Sequence, residues 1–365
     1  MATFEQQTAK KAPNSEIGFA HWLRKNLFSN VTNSVLTVFA LYVLYLIVPA
    51  IANWMLFDAT FAPVNNEQCG REGACWRYII EKLDLFIYGF YPAEGYWRVQ
   101  WVLILALVFV WIAKRLKQHQ YKLKIIAGLI IIYPIVAFFL LYGGLSLEVV
   151  ETHQWGGLML TVIVATVGIV ASFPIGVLLA LGRQSKMPVI RLLSVIYIEF
   201  IRGVPLITIL FMASVILPLF FHEGMNMDKL LRALIGITMF QSAYIAEVIR
   251  GGLQAVPRGQ YEAADAMGLS FLQKTTLIIL PQALKISIPN IVGSFIALFK
   301  DTTLLLIIGL LDVLSMVHLS TSDENWLGRS TEGFVFVMLV MWIILYSMSR
   351  YSKALELKYS TEHKN

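Results

Sequence analysis

Residues 251–285, GGLQAVPRGQYEAADAMGLSFLQKTTLIILPQALK, are the one sizeable polar stretch in the second half of a chain that is otherwise strongly apolar there. Pro257 sits where a proline is tolerated, at or before a first helical turn, and residues 260–267 are good helix formers. Gly268 follows them. A glycine just past the last helical residue reaches positive φ without steric cost and lets the final carbonyls be satisfied, so the spacing predicts a stop at that point. Ser270 with Gln273 three residues on has the spacing of a capping box that starts a second helix, and Pro281 marks that helix's end or a kink. The expectation is a helix, a glycine turn and a second helix, set between long apolar runs.

Those runs decide the fold class. The chain has 365 residues, 58% of them hydrophobic and only 14% charged, with a mean hydropathy of +0.68, so much of its surface must face lipid. A net charge of +6 in a soluble protein would suggest nucleic acid. Here the basic residues cluster in short groups beside apolar runs, as in cytoplasmic loops, which argues against nucleic-acid binding. The six His have no metal-ligand spacing, there is no HExxH pair and no GxSxG turn, and no GxxxxGK[ST] phosphate loop occurs. We therefore expect no cofactor and no catalytic centre in this chain.

Residues 1–30 are polar and read as a cytoplasmic lead-in rather than a signal peptide. Eight spans are predicted, at about 31–57, 97–113, 125–147, 157–181, 196–221, 231–249, 286–311 and 334–351. The basic clusters at 114–124, 183–191, 250–285 and 350–364 then all fall on one side, the cytoplasm, with residues 356–365 as a cytoplasmic tail. The loop 58–96 lies outside, where Cys69 and Cys75 tend to oxidise to a disulfide; two free thiols are the alternative. Gly168, Ser172, Gly176 and Ala180 recur every four residues on the fourth span, a stripe that lets another helix approach closely. The organisation expected is thus all-α: a three-span extension over 31–155 and a five-span core over 156–355, with the hairpin 251–285 in the cytoplasm.

Charges inside apolar runs are the remaining signal, since an ionisable group at membrane depth survives only where it faces protein, water or a partner charge. Glu199 and Arg202 have a three-residue spacing that lets them pair on one helix face before Gly203 and Pro205 loosen the backbone. Lys300-Asp301 interrupts a second apolar stretch near its middle. Each pair reads either as intrahelical pairing with a snorkelling cation or as a polar patch lining a pathway. Gln241, Ser242, Tyr244 and Glu247 form a polar stripe on the sixth span, which suits helix–helix hydrogen bonding or the same pathway.

The spacing Glu262-Ala263-Ala264, three residues, Gly268, nine residues, Ile278, one residue, Leu280-Pro281 resembles the ATPase-docking loop of membrane subunits of bacterial ABC importers. Residues 156–355 more specifically resemble permeases of polar amino-acid importers of the histidine-permease type. The residues that carry this are FIRGVPL from Phe200, AYIAEVIRGG from Ala243, PRGQYEAA from Pro257 and FKDTTL from Phe299. Val204 and Thr303 depart from the commoner threonine and serine. The three extra spans look like those of general L-amino-acid transporter permeases. The resemblance implies a type I importer core and docking through Glu262, Ala263, Ala264 and Gly268. It also implies a substrate cavity lined at Glu199 and Lys300, with Arg202, Gln241 and Tyr244 as further candidates. Its implied partners are a second homologous permease, two ATPase subunits that use ATP and Mg, a periplasmic binding protein and L-amino acids, all at the inner membrane. The competing readings are an ion- or proton-coupled secondary transporter, in which Glu199, Lys300 and Asp301 form a relay, and an intramembrane enzyme. No inverted repeat supports the first and no catalytic motif the second.

Overall fold

The computed structural model describes residues 18–62, 66, 69–70, 72–116, 121–144, 146–222 and 227–359. Most of the lead-in expected over 1–30, and the end of the tail expected over 356–365, lie outside the described residues. The described residues are helical with isolated bridges only, and they divide into two units, 1–77 and 78–365.

In the first unit, α1 (Phe19–Asn26) precedes α2 (Val31–Ala52), which a π turn extends over Asn53–Phe57. Asn30 caps α2 by accepting from the Asn33 amide at 2.7 Å, and none of the α2 residues is buried, as lipid exposure requires. The segment after α2 folds back on it. Trp76 donates from Nε1 to the Met55 carbonyl at 2.8 Å, Thr60 bridges Cys75, and Cys69 and Cys75 are disulfide-bonded with Cα atoms 5.8 Å apart. Gly73 is required by the close approach of that fold-back, because a Cβ there would stand 1.8 Å from the Asp58 carbonyl oxygen.

In the second unit, the helix α3 (Trp76–Tyr88) enters from the first, and α4 (Tyr96–Arg115) and α5 (Lys122–Tyr142) form an antiparallel pair. After them in the chain come α6 (Gly157–Arg183), α7 (Pro188–Gly203), α8 (Leu206–Phe211), α9 (Lys229–Ala255), α10 (Arg258–Ala266), α11 (Phe271–Gln273), α12 (Leu280–Asp301), α13 (Val313–Ser320) and α14 (Ser330–Tyr359). The centre is α9 packed along α6 and α12. The small-residue stripe faces that contact: a Cβ on Gly168 would lie 2.8 Å from Ile237, and one on Gly176 2.6 Å from Ile245. Close backbone approach, with dispersion contacts along its length, is what those positions supply.

From Tyr78 onward, α3 is amphipathic and lies against the segment from α13 to α14. Tyr78 hydrogen-bonds Ser320 and meets Trp326 in a tilted ring contact at 5.7 Å, Phe86 meets Phe336 at 5.7 Å, and Lys82 pairs with Asp323. The Lys82 hydrogen bond, followed by those from Asn325, holds the Asp323 carboxyl below its usual range.

Among the described residues six helices are long and apolar enough to cross a membrane: Val31–Phe57, Ala93–Arg115, Lys124–Tyr142, Gly157–Arg183, Phe271–Ile308 and Ser330–Lys358. The expected fifth span is a helix pair, Pro188–Gly203 and Leu206–Phe220, bent by 105°. The break is local chemistry: Val204, forced extended by Pro205 (φ −110°, ψ 134°), cannot continue α7. With that pair as one span the count is seven. The 27-residue α9, expected as the sixth span, is long enough but falls short in apolarity because Gln241, Ser242 and Glu247 dilute it. The count of eight rests on α9.

Candidate functional site

The hairpin forms as its local chemistry predicts. Pro257 N-caps α10, and the helix ends at Gly268 (φ +70°), whose amide donates to the Asp265 carbonyl at 3.0 Å while the Leu269 amide donates to Ala264 at 3.2 Å. This is a Schellman closure, with its glycine at the left-handed position. Ser270 and Gln273 make the reciprocal capping box at 3.3 and 3.0 Å. Lys274 pairs with Asp265 across the turn at 2.5 Å, and the Tyr261 hydroxyl donates to the Leu253 carbonyl at 2.9 Å, tying α10 to the end of α9. Burial keeps the Tyr261 phenol above its usual range.

Of the docking candidates, Ala264 is buried, whereas Glu262, Ala263 and Gly268 are exposed. Next to them Met267, Phe271 and Leu272 are each at least 70% exposed. A polar hairpin with so apolar a tip has a surface that no described residue of this chain covers.

Pro281 does not end the second helix. Residues 271–308 form one helical run in which α11 passes through a π segment, Lys274–Ile279, into α12, with Pro281 in the first turn of α12. Proline lacks an amide, and a widened π turn beside it takes up the register change without breaking the helix. At the far end α12 tightens into a 3-10 segment, Thr302–Ile308, stopped by Gly309 at φ +72°. Lys300 and Asp301 therefore sit at the change of helix type rather than in the middle of a regular span. Lys300 is exposed and has no ion pair among the described residues.

Glu199 and Arg202 do not pair with each other. Glu199 accepts from Arg183, the last residue of α6, at 2.7 Å, and Arg202 turns toward α9, with its guanidinium carbon 5.7 Å from the Tyr244 ring centroid and Nη1 3.8 Å from Glu247. Glu247 is the hub: Arg250 reaches it through Nε at 2.9 Å and Arg183 lies 3.4 Å away. Three arginines and two carboxylates thus join α6, α7 and α9 in one network of formal charge +1. Arg183 and the central role of Glu247 were not foreseen, because residues 183, 199 and 247 are brought together only by tertiary packing. Gln241 is buried and donates to the Ser294 carbonyl of α12 at 3.2 Å, the helix–helix bond that its position suggested. Tyr244 stays partly exposed beside Phe240.

The chain matches the family model described as "Binding-protein-dependent transport system inner membrane component" over residues 172–360. It is 51% identical over 345 residues to the inner membrane amino-acid ABC transporter permease protein YhdY of Escherichia coli, covering 93% of each chain. It is 40% identical to the glutamate/glutamine/aspartate/asparagine transport system permease protein BztC of Rhodobacter capsulatus, covering 99% of this chain and 98% of that one. Among solved structures it is similar to an amino acid ABC transporter with histidines, at 28% identity and a TM-score of 0.50. That match covers 92% of the solved chain and 55% of this one.

Proposed function

We propose, from the premise that this chain belongs to the binding-protein-dependent transport system inner membrane components, that it is the membrane-spanning permease subunit of an ATP-driven L-amino-acid importer. The observation that carries the coupling half of this reading is the hairpin. Its exposed apolar tip fits a groove on an ATPase, and its second helix is continuous with a span, so a displacement at the tip is delivered into the membrane. Hydrolysis then belongs to the partner chains, which bind ATP and Mg. One chain brings one hairpin while an ATPase dimer offers two grooves, so a second permease, homologous to this one, completes the assembly, and a periplasmic binding protein supplies the amino acid. Chain termini are cytoplasmic and the Cys69–Cys75 loop is periplasmic, as the basic clusters require. In this reading α9 crosses the membrane as an eighth span, its polar stripe turned to protein.

The substrate is a zwitterion and needs a fixed charge of each sign along a low-dielectric route, since an unpaired buried charge costs several kcal/mol. Lys300, exposed at the end of α12 and without an ion pair among the described residues, suits the α-carboxylate. Glu199, half exposed and shared with Arg183, suits the α-ammonium, and Arg202 with Tyr244 borders the same network. Such a site reads the backbone common to all amino acids and leaves side-chain selection to the binding protein. The test is purification with the associated chains, followed by reconstituted uptake. An ATPase that copurifies, with vanadate-sensitive uptake lost in Glu199→Gln and Lys300→Met but basal hydrolysis retained, supports the reading. Gradient-driven, vanadate-insensitive uptake without an ATPase refutes it.

A further inference from the structure

The helix α1 has no role in the importer reading, yet its sequence, FAHWLRKN, is segregated by face. At 100° per residue Trp22, Phe19 and Leu23 fall within an arc of about 100°, and Arg24, His21 and Lys25 occupy the opposite side. Phe19 is 74% and Trp22 53% exposed, with their rings stacked at 6.2 Å. The helix contains no acidic residue.

Its position relative to α2 is set by hydrogen bonds. The Leu27 and Phe28 amides donate to the Leu23 carbonyl at 2.8 and 3.2 Å, closing α1. Thr37, in the second turn of α2, donates to the Leu27 carbonyl at 2.7 Å, and Asn33 donates to Ser29 at 2.7 Å. Four residues, held by these bonds, separate α1 from a helical run of 27 residues, Val31–Phe57. That run is about 40 Å long at 1.5 Å per residue, more than the hydrocarbon core of about 30 Å, so its first turn stands at the bilayer boundary. A short helix fixed at that level, with aromatic residues on one face and Arg24 and Lys25 on the other, matches an interface that is apolar beneath and anionic above.

We infer that α1 is an interfacial helix that docks on anionic phospholipid headgroups of the cytoplasmic leaflet, with Phe19, Trp22 and Leu23 entering the acyl boundary and Arg24 and Lys25 contacting the phosphates. The leaflet assignment rests on the topology proposed above; the lipid contact does not. Anionic lipid then anchors the start of α2 and with it the entry of the N-terminal extension.

The test uses the assembled complex carrying Leu23→Cys labelled with an environment-sensitive nitrobenzoxadiazole, with the complex lacking Leu23→Cys as the labelling control; this chain's own cysteines are bonded to each other and do not compete. In nanodiscs containing phosphatidylglycerol, the label should be blue-shifted and quenched by doxyl groups near the headgroup. In pure phosphatidylcholine, or in the Arg24→Gln/Lys25→Gln background, quenching should fall, with the docking equilibrium weakened roughly five-fold per charge removed. A red-shifted, unquenched label in every lipid overturns the inference, and so does a blue-shifted label that lipid quenchers do not reach, which would mean a protein partner. Quenching independent of anionic lipid and of both charges overturns the headgroup contact. In sealed proteoliposomes, dithionite reduction from the face opposite the ATPase would overturn the leaflet and the topology while leaving lipid docking intact.

Discussion

Gly268 separates two roles that a hairpin glycine can have, because its surroundings are open. Its φ of +70° costs an ordinary L residue about 1–2 kcal/mol, and a Cβ built on it meets nothing within 4 Å, so there is no steric term inside the chain. The turn is also held by the Ser270–Gln273 box, the Lys274–Asp265 pair and the Tyr261–Leu253 bond, each worth about 1 kcal/mol. Gly268→Ala should therefore leave the hairpin folded and the protein membrane-inserted. Gly268→Asn should cost still less, since asparagine visits the left-handed region readily. If the tip fits closely into a partner groove, Asn and Asp both obstruct it, whatever their backbone cost. Substrate-stimulated ATP hydrolysis and ATPase association, measured on purified complexes for Ala, Asn and Asp side by side, should fall in the order of side-chain bulk and charge. Normal transport by Gly268→Asp would remove the tip from the mechanism. Impairment by Ala with a normal Asn variant would reduce the glycine to a backbone device.

Glu247→Gln takes the shared carboxylate from three arginines and raises the network's formal charge from +1 to +2. We expect a loss of about 1–3 kcal/mol, seen as a lowered thermal midpoint of the purified complex and partly relieved by Arg202→Gln; an unchanged midpoint would mean the network is slack. Membrane-impermeant maleimide on intact spheroplasts, after reduction, should label Cys69 and Cys75, and labelling only after permeabilisation would invert the N-terminal topology. The lowered pKa of Asp323 stabilises the fold fully above the ordinary carboxylate value of 3.8, and that contribution is lost as pH falls through the folded value. Asp323→Asn should accordingly flatten the acid side of a thermal stability profile, and an unaltered acid side would detach the Lys82 pair from stability.

The hairpin was legible residue by residue because capping is local: Ser270 and Gln273, or Gly268 and the two carbonyls it closes, lie within one turn of each other. The all-helical membrane class was equally legible, since hydropathy sums over whole spans. Pro281 was not, because a proline signals a helix boundary unless a π turn precedes it, and no residue type marks π geometry. The 105° break at Val204–Pro205 had a local sign in the pre-proline restriction, but nothing local tells a bend from a loosening. The charge network was out of reach. Spacing offered Glu199 the partner on its own helix, and packing gave it one sixteen residues earlier on another.

The unbroken run from Phe271 to Ile308 makes the protein's membrane half answer to angle as well as to distance. At 1.5 Å per residue its 38 residues span about 57 Å, so a tilt of roughly 5° at the hairpin end displaces the far end by about 5 Å, near the point where Lys300 meets the 3-10 segment. Helices transmit torsion as well, and the π segment at Lys274–Ile279 sets the phase between the two ends. One residue more or fewer in that segment would turn the tip by about 100° relative to the face of α12 that packs on α9. Both ends would still fold, each with its own caps and contacts intact, while the tip addressed its partner from the wrong side. The rotational phase between the two ends thus resides in the length of one six-residue segment rather than in any side chain within it.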